Sequence, residues 1–262
     1  MTVGWTTVLG FFIIFFATTA GAALALLFKR EISDRLNAVF SGFAAGVMTA
    51  ASVWSLIIPA IDGSKRLGAF SFIPAAFGIM LGGLFLFVLD KFAFRLRGGT
   101  DKEASSGYAY NRSTRTFLAI TIHNIPEGLA VGFAFGWARI SGSDDAAFAA
   151  LALAVGIAVQ NFPEGAAVSL PLKRATGSGV KAFMFGTLSG AVEPIAAVLG
   201  NFTARSLSAA QPYFLSFAAG AMLFVVAEDL LPEAISDEKS HAGGWAFLFG
   251  FALMMSLDVA LG

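Results

Sequence analysis

Three glutamates, Glu127, Glu164 and Glu193, sit well inside long apolar runs, and no Lys or Arg occupies a comparable depth. A carboxylate near the centre of a membrane helix costs about 2.5 kcal/mol or more. Without an internal basic partner it must take up a proton, reach water or hold a cation. His123 stands four residues before Glu127, and Gln160 four before Glu164; groups at that spacing share one helix face. Two carboxylates, an imidazole and an amide oxygen suit a borderline divalent metal, Zn²⁺ first, with Fe²⁺, Mn²⁺ and Cd²⁺ as alternatives. Asn124 and Asn161, one step round each helix, offer oxygens to a second ion, with Glu127 and Glu164 bridging and Glu193 closing that second site. Pro126 and Pro163 cannot donate to the carbonyls of Ile122 and Val159, nor Pro194 to that of Gly190, so each helix is expected to loosen beside its carboxylate. Glu228 and Asp229 lie nearer a span end and suit an exit step, and Asp258 an entrance at the other face.

The elements that position these groups follow from composition. Apolar residues make up 57% of the 262 and charged residues 13%, against about 25% charged in an ordinary globular domain. Mean hydropathy is +0.77, and 28 phenylalanines are more than a soluble fold of this size can hide. Zero net charge excludes a basic field for nucleic acid. The absence of Cys excludes disulfides and thiolate metal sites. These observations imply an all-α polytopic membrane protein, a single transmembrane domain embedded in a lipid bilayer.

Runs of about 20 apolar residues, the length that crosses a bilayer, number eight: about 5–28, 37–60, 72–95, 116–137, 147–172, 181–204, 211–233 and 242–261. No Lys or Arg precedes Lys29, so the first run is not read as a secretory signal. Of the 17 basic residues, thirteen fall in odd-numbered connections and four in even-numbered ones. By the positive-inside rule the termini lie outside and the odd-numbered connections face the cytoplasm, as in a multi-pass protein of the cell or inner membrane. The third connection, about 98–113, reads as a flexible cytoplasmic tether.

HNIPEG (His123–Gly128) returns as QNFPEG (Gln160–Gly165), and FAAGVM (Phe43–Met48) as FAAGAM (Phe217–Met222). The paired runs point in opposite directions, the pattern of an inverted repeat around a midplane site. A 3+2+3 arrangement results, with spans 1–3 and 6–8 repeated around spans 4–5. At about 1.5 Å per residue, His123 lies roughly 10 Å and Glu127 roughly 16 Å from the cytoplasmic end of the fourth run. Glu164 lies about 12 Å and Gln160 about 18 Å along the antiparallel fifth, with Glu193 about 18 Å into the sixth. All five fall in one layer if the helices pack face to face.

HNIPEG in the fourth run and QNFPEG in the fifth, with eight spans and both ends outside, resemble the ZIP (Zrt/Irt-like) divalent-metal transporters, and the Gln at the head of the second motif resembles the GufA-like branch. The resemblance covers essentially the whole chain. It implies metal movement toward the cytoplasm through a binuclear site: His123, Glu127, Gln160 and Glu164 for one ion, and Asn124, Glu127, Asn161, Glu164 and Glu193 for the other. It also implies a homodimer. The third connection lacks the His-rich stretch of many members. The reading of a transporter rather than an enzyme has one competitor, an intramembrane metallohydrolase on the same metal site. That would need an open coordination position and a separate general base, and no HExxH occurs.

Overall fold

A computed structural model describes residues 3–27, 33–96, 108–206, 210–236 and 240–261, and among these it is helical throughout, without a strand. Eight helical runs follow one another. They are α1 (Val3–Ala22, continuing as Leu24–Leu27), α2 (Asp34–Ala51, continuing through Ser52–Ile57 to Asp62), α3 (Phe72–Leu96) and α4 (Tyr108–Ser141), then α5 (Asp144–Thr176), α6 (Gly179–Gly190 and Val192–Thr203), α7 (Gln211–Val225, continuing to Ala234) and α8 (Ala242–Leu261). Among the described residues, seven runs are long and apolar enough to cross a membrane, α4 not being one of them. α4 is the least apolar of the eight, because its first turns are polar and it carries His123, Asn124 and Glu127.

Chain punctuation explains the central three helices. Ser143 caps α5, its Oγ accepting from the Ala146 N–H, and Ser178 caps α6 through the Lys181 N–H. Gly142 and Gly177 turn the chain at φ +64° and +65°, a conformation that favours glycine. Two-residue connections therefore hold α4, α5 and α6 as antiparallel neighbours.

One expectation needs correction. The third connection does not extend to residue 113: α4 begins at Tyr108, and 97–107 lie outside the described residues. α4 and α5 continue as helix beyond the apolar runs expected at about 116–137 and 147–172. Polar turns at helix ends continue the hydrogen-bonded ladder beyond the apolar stretch. The loosening expected beside Pro194 is present in α6, which is interrupted at Ala191 between Gly190 and Val192, whereas α4 and α5 run on as continuous helix through Pro126 and Pro163. Neighbouring backbones pack tightly beside both motifs, at Gly128 and Gly165.

Packing follows a pairwise pattern. α1 lies along α5 as α6 lies along α4, and α2 lies along α8 as α7 lies along α3. Exchanging 1 with 6, 2 with 7, 3 with 8 and 4 with 5 leaves that pattern unchanged. A wide π-helical turn occurs in α2 at Ser52–Ile57 and in α7 at Val226–Leu230. Each starts nine residues after the Phe of its FAAG segment and precedes a proline, Pro59 or Pro232. Large apolar side chains such as Trp5, Phe12, Met80, Phe202 and Trp245 face outward, while Asn124, Glu127, Gln160, Asn161, Glu164 and Glu193 are buried.

Candidate metal centre

The sequence-predicted groups come together where α4, α5 and α6 meet α1. Glu127, Gln160, Asn161, Asn124 and Glu193 are fully buried, and Glu164 is 4% exposed. α4 and α5 present them from facing turns, and α6 contributes Glu193 from the first turn after its break. Glycines allow the approach. A Cβ on Gly128 would lie 2.3 Å from the Glu193 carbonyl oxygen, and one on Gly165 2.1 Å from that of Thr18.

A hydrogen-bonded chain links the elements. Gln160 Nε2 donates to Glu127 Oε2 at 2.8 Å and to Asn161 Oδ1 at 2.7 Å. Asn161 Nδ2 donates to Glu193 Oε2 at 2.5 Å and to the Ile14 carbonyl at 3.2 Å. Thr18 Oγ1, on α1, donates to Glu193 Oε1 at 2.9 Å. Asn124 Nδ2 donates to the Ser189 carbonyl at 2.9 Å. Sequence reading missed Thr18 and the Ile14 and Ser189 carbonyls. The signal was the hydroxyl pair Thr18-Thr19 in the middle of an otherwise apolar run, FFIIFFATTAGA.

What the chain leaves open is as informative. Asn124 Oδ1, Glu127 Oε1, Gln160 Oε1 and Glu164 Oε2 are buried without a hydrogen-bond donor among the described residues. Buried acceptors are ordinarily satisfied, and four unsatisfied oxygens from two facing motifs match the donor needs of a cation. The three carboxylates also lie within electrostatic reach of one another: Glu193 acts on Glu127, Glu127 on Glu164 and Glu164 on Glu193. No basic side chain among the described residues is bonded to them, so a dication would relieve both the repulsion and the open acceptors. Among the described residues no group of three His, Cys, Asp or Glu side chains could hold a metal ion alone. His123 lies on α4, but its side chain is outside those described.

The pathway candidates stand apart from this centre. Glu228 and Asp229 are exposed, in the π-helical turn of α7. Asp258, on α8, accepts from Ser55 Oγ at 2.6 Å across to the π-helical turn of α2, and its Oδ2 is buried without a donor. Near the start of α2, Asn37 and Ser41 both donate to Glu233, at the end of α7.

A family model described as ZIP Zinc transporter matches residues 101–258. The chain is 38% identical to Zinc transporter ZIP11 of Xenopus tropicalis, the match covering 94% of each protein. It is 35% identical to Zinc transporter GufA of Myxococcus xanthus, over 93% of this chain and 94% of that protein. It is 38% identical to Zinc transporter ZIPB of Bordetella bronchiseptica, over 94% of this chain and 79% of the relative.

Proposed function

The chain belongs to the ZIP zinc-transporter family and transports divalent metal ions; on that premise we propose that the ion crosses by way of Asn124, Glu127, Gln160 and Glu164, with His123 as the nitrogen donor. Zn²⁺ is the preferred ion, and Fe²⁺, Mn²⁺ and Cd²⁺ compete for the same ligands, since a set rich in oxygen discriminates weakly among them. The observation that carries the reading is the set of four buried oxygens without donors, drawn from the two N-x-P-E-G segments.

In this reading α1–α8 are eight spans in a 3+2+3 arrangement with both termini outside, and the metal moves toward the cytoplasm. The exchange symmetry of the packing and the matched π-helical turns support the inverted repeat. The thirteen-to-four division of basic residues supports the orientation. Asp258 serves the entrance, and Glu228 and Asp229 receive the ion on the inner side. Movement follows when α4 and α5 rearrange against the rest. Glu127 and Glu164 neutralise the dication in the apolar layer, where a bare divalent charge would be prohibitively costly.

Radiometal uptake into proteoliposomes tests this, with Zn²⁺, Fe²⁺, Mn²⁺ and Cd²⁺ in competition. Saturable Zn²⁺ uptake that disappears in Glu127→Ala is expected. Equal uptake by wild type and Glu127→Ala would refute the assigned path.

A further inference from the structure

Glu193 sits on a weakened stretch of helix. α6 is interrupted at Ala191, between Gly190 and Val192, and Pro194 has no N–H to offer the Gly190 carbonyl. The direction of the Glu193 side chain is therefore not settled by α6 alone. α4 holds the backbone on both sides of the break: Asn124 donates to the Ser189 carbonyl at 2.9 Å, and Gly128 lies against the Glu193 carbonyl. The side chain is held from α5 by Asn161 and from α1 by Thr18, both fully buried.

Thr18 does more than donate. A helical threonine ordinarily turns its hydroxyl back to the carbonyl four residues earlier. Thr18 Oγ1 does approach the Ile14 carbonyl, at 3.3 Å, but its shorter contact, 2.9 Å, is with Glu193 Oε1. The methyl explains the direction. A Cβ on Gly190 would lie 2.7 Å from Thr18 Cβ and 2.8 Å from its Cγ2, so the threonine is seated on bare glycine backbone just before the break. A β-branched side chain has few χ1 settings, and one that keeps its methyl on Gly190 commits its hydroxyl to one direction. The Thr18 carbonyl in turn lies against Gly165, where a Cβ would come within 2.1 Å of it. One residue of α1 thereby touches the glycine of the second N-x-P-E-G segment, the edge of the α6 break and the α6 carboxyl.

We propose that Thr18 is a positioning residue of the metal centre: with its methyl seated on Gly190, its hydroxyl fixes the direction of the Glu193 carboxyl. The proposal rests on the reading of α4 and α5 as the transport site, to which α6 adds Glu193 within electrostatic reach of Glu127 and Glu164. It concerns orientation and holds for whatever number of ions the centre takes. Thr18 acts on the ion through Glu193, so losing its hydroxyl weakens capture of the ion rather than abolishing transport.

Zn²⁺ uptake into proteoliposomes tests the proposal, read beside the melting temperature of each variant of the whole chain in detergent. Thr18→Val keeps a methyl on Gly190 and removes the hydroxyl. Its half-saturating Zn²⁺ concentration rises about tenfold, the effect of leaving a buried acceptor without its donor, while its maximal rate stays within about twofold. Thr18→Ser keeps the hydroxyl and loses the methyl. Its half-saturating concentration stays within about threefold of wild type, although the lost packing lowers its melting temperature. A residue that only packs would make half-saturation follow melting temperature across both variants; that result would overturn the proposal, as would an unchanged half-saturating concentration in Thr18→Val. Should Thr18→Val fail to fold, Thr18→Ala takes its place. Neither Ala nor Ser carries the methyl, so a gap of about tenfold between them reports the hydroxyl, and equal values overturn the proposal. Zn²⁺ uptake unchanged in Glu127→Ala is a separate result: it refutes the transport-site reading, and this inference with it.

Discussion

The two N-x-P-E-G segments share letters and spacing, yet their side chains end on different partners. On α4, Asn124 donates to the Ser189 carbonyl, and Glu127 receives the Gln160 amide. On α5, Asn161 reaches the Glu193 carboxylate and the Ile14 carbonyl, while among the described residues no donor reaches Glu164 Oε2. The difference originates in the flanking helices. α6 offers a carboxylate beside the first motif where α1 offers a hydroxyl beside the second. A repeated motif therefore builds the same helix face twice, and the neighbours convert that symmetric frame into an asymmetric donor set.

Four outcomes break or sharpen this comparison. The largest concerns the carboxylates the two segments share. Glu127→Ala and Glu164→Ala each lower Zn²⁺ uptake by on the order of a hundredfold or more, since a dication in an apolar layer loses one compensating charge. A large loss in one variant only would show that a single segment carries the ion. Next are the shared glycines: Gly128→Ala and Gly165→Ala drive a methyl into the Glu193 and Thr18 carbonyls. Each costs roughly 1–3 kcal/mol, measured as a lowered melting temperature in detergent, and an unchanged temperature for either would place its contact elsewhere.

Acidity comes third. A protonated carboxyl cannot neutralise the ion, so protons compete with metal and uptake falls as pH falls, by up to about tenfold per pH unit where one proton competes. A flat profile through the carboxylate titration range would mean that neither motif glutamate takes up a proton in the cycle. The smallest effect lies outside the motifs. Glu228→Gln and Asp229→Asn alter exposed charges on α7, and surface charges contribute about 1 kcal/mol or less. Uptake should fall less than about threefold, and a loss comparable to that of Glu127→Ala would move the critical step to the inner end.

Much of this was legible from the chain. Apolar runs locate the helices because hydrocarbon requires every backbone group to be paired within its own segment. His123–Glu127 and Gln160–Glu164 share faces because four residues make about one turn. The π-helical turns at Ser52–Ile57 and Val226–Leu230 were not legible, since proline at 59 or 232 frees a carbonyl without dictating how the ladder reroutes around it. The tether was drawn too long for a related reason. Tyr108–Ser113 has loop-like composition, but helix can continue from a packed segment into polar turns that would not nucleate alone.

Residue types and periods by themselves determined that this chain is a membrane protein with acidic groups deep in apolar helices and two copies of one N-x-P-E-G pattern. Those are properties of single segments, set by transfer cost and helical pitch. Only the tertiary structure decided which oxygens are engaged and which are open. A hydrogen bond such as Thr18 to Glu193 joins residues 175 apart in the chain, and the direction of each amide is imposed by the acceptor that packing brings against it.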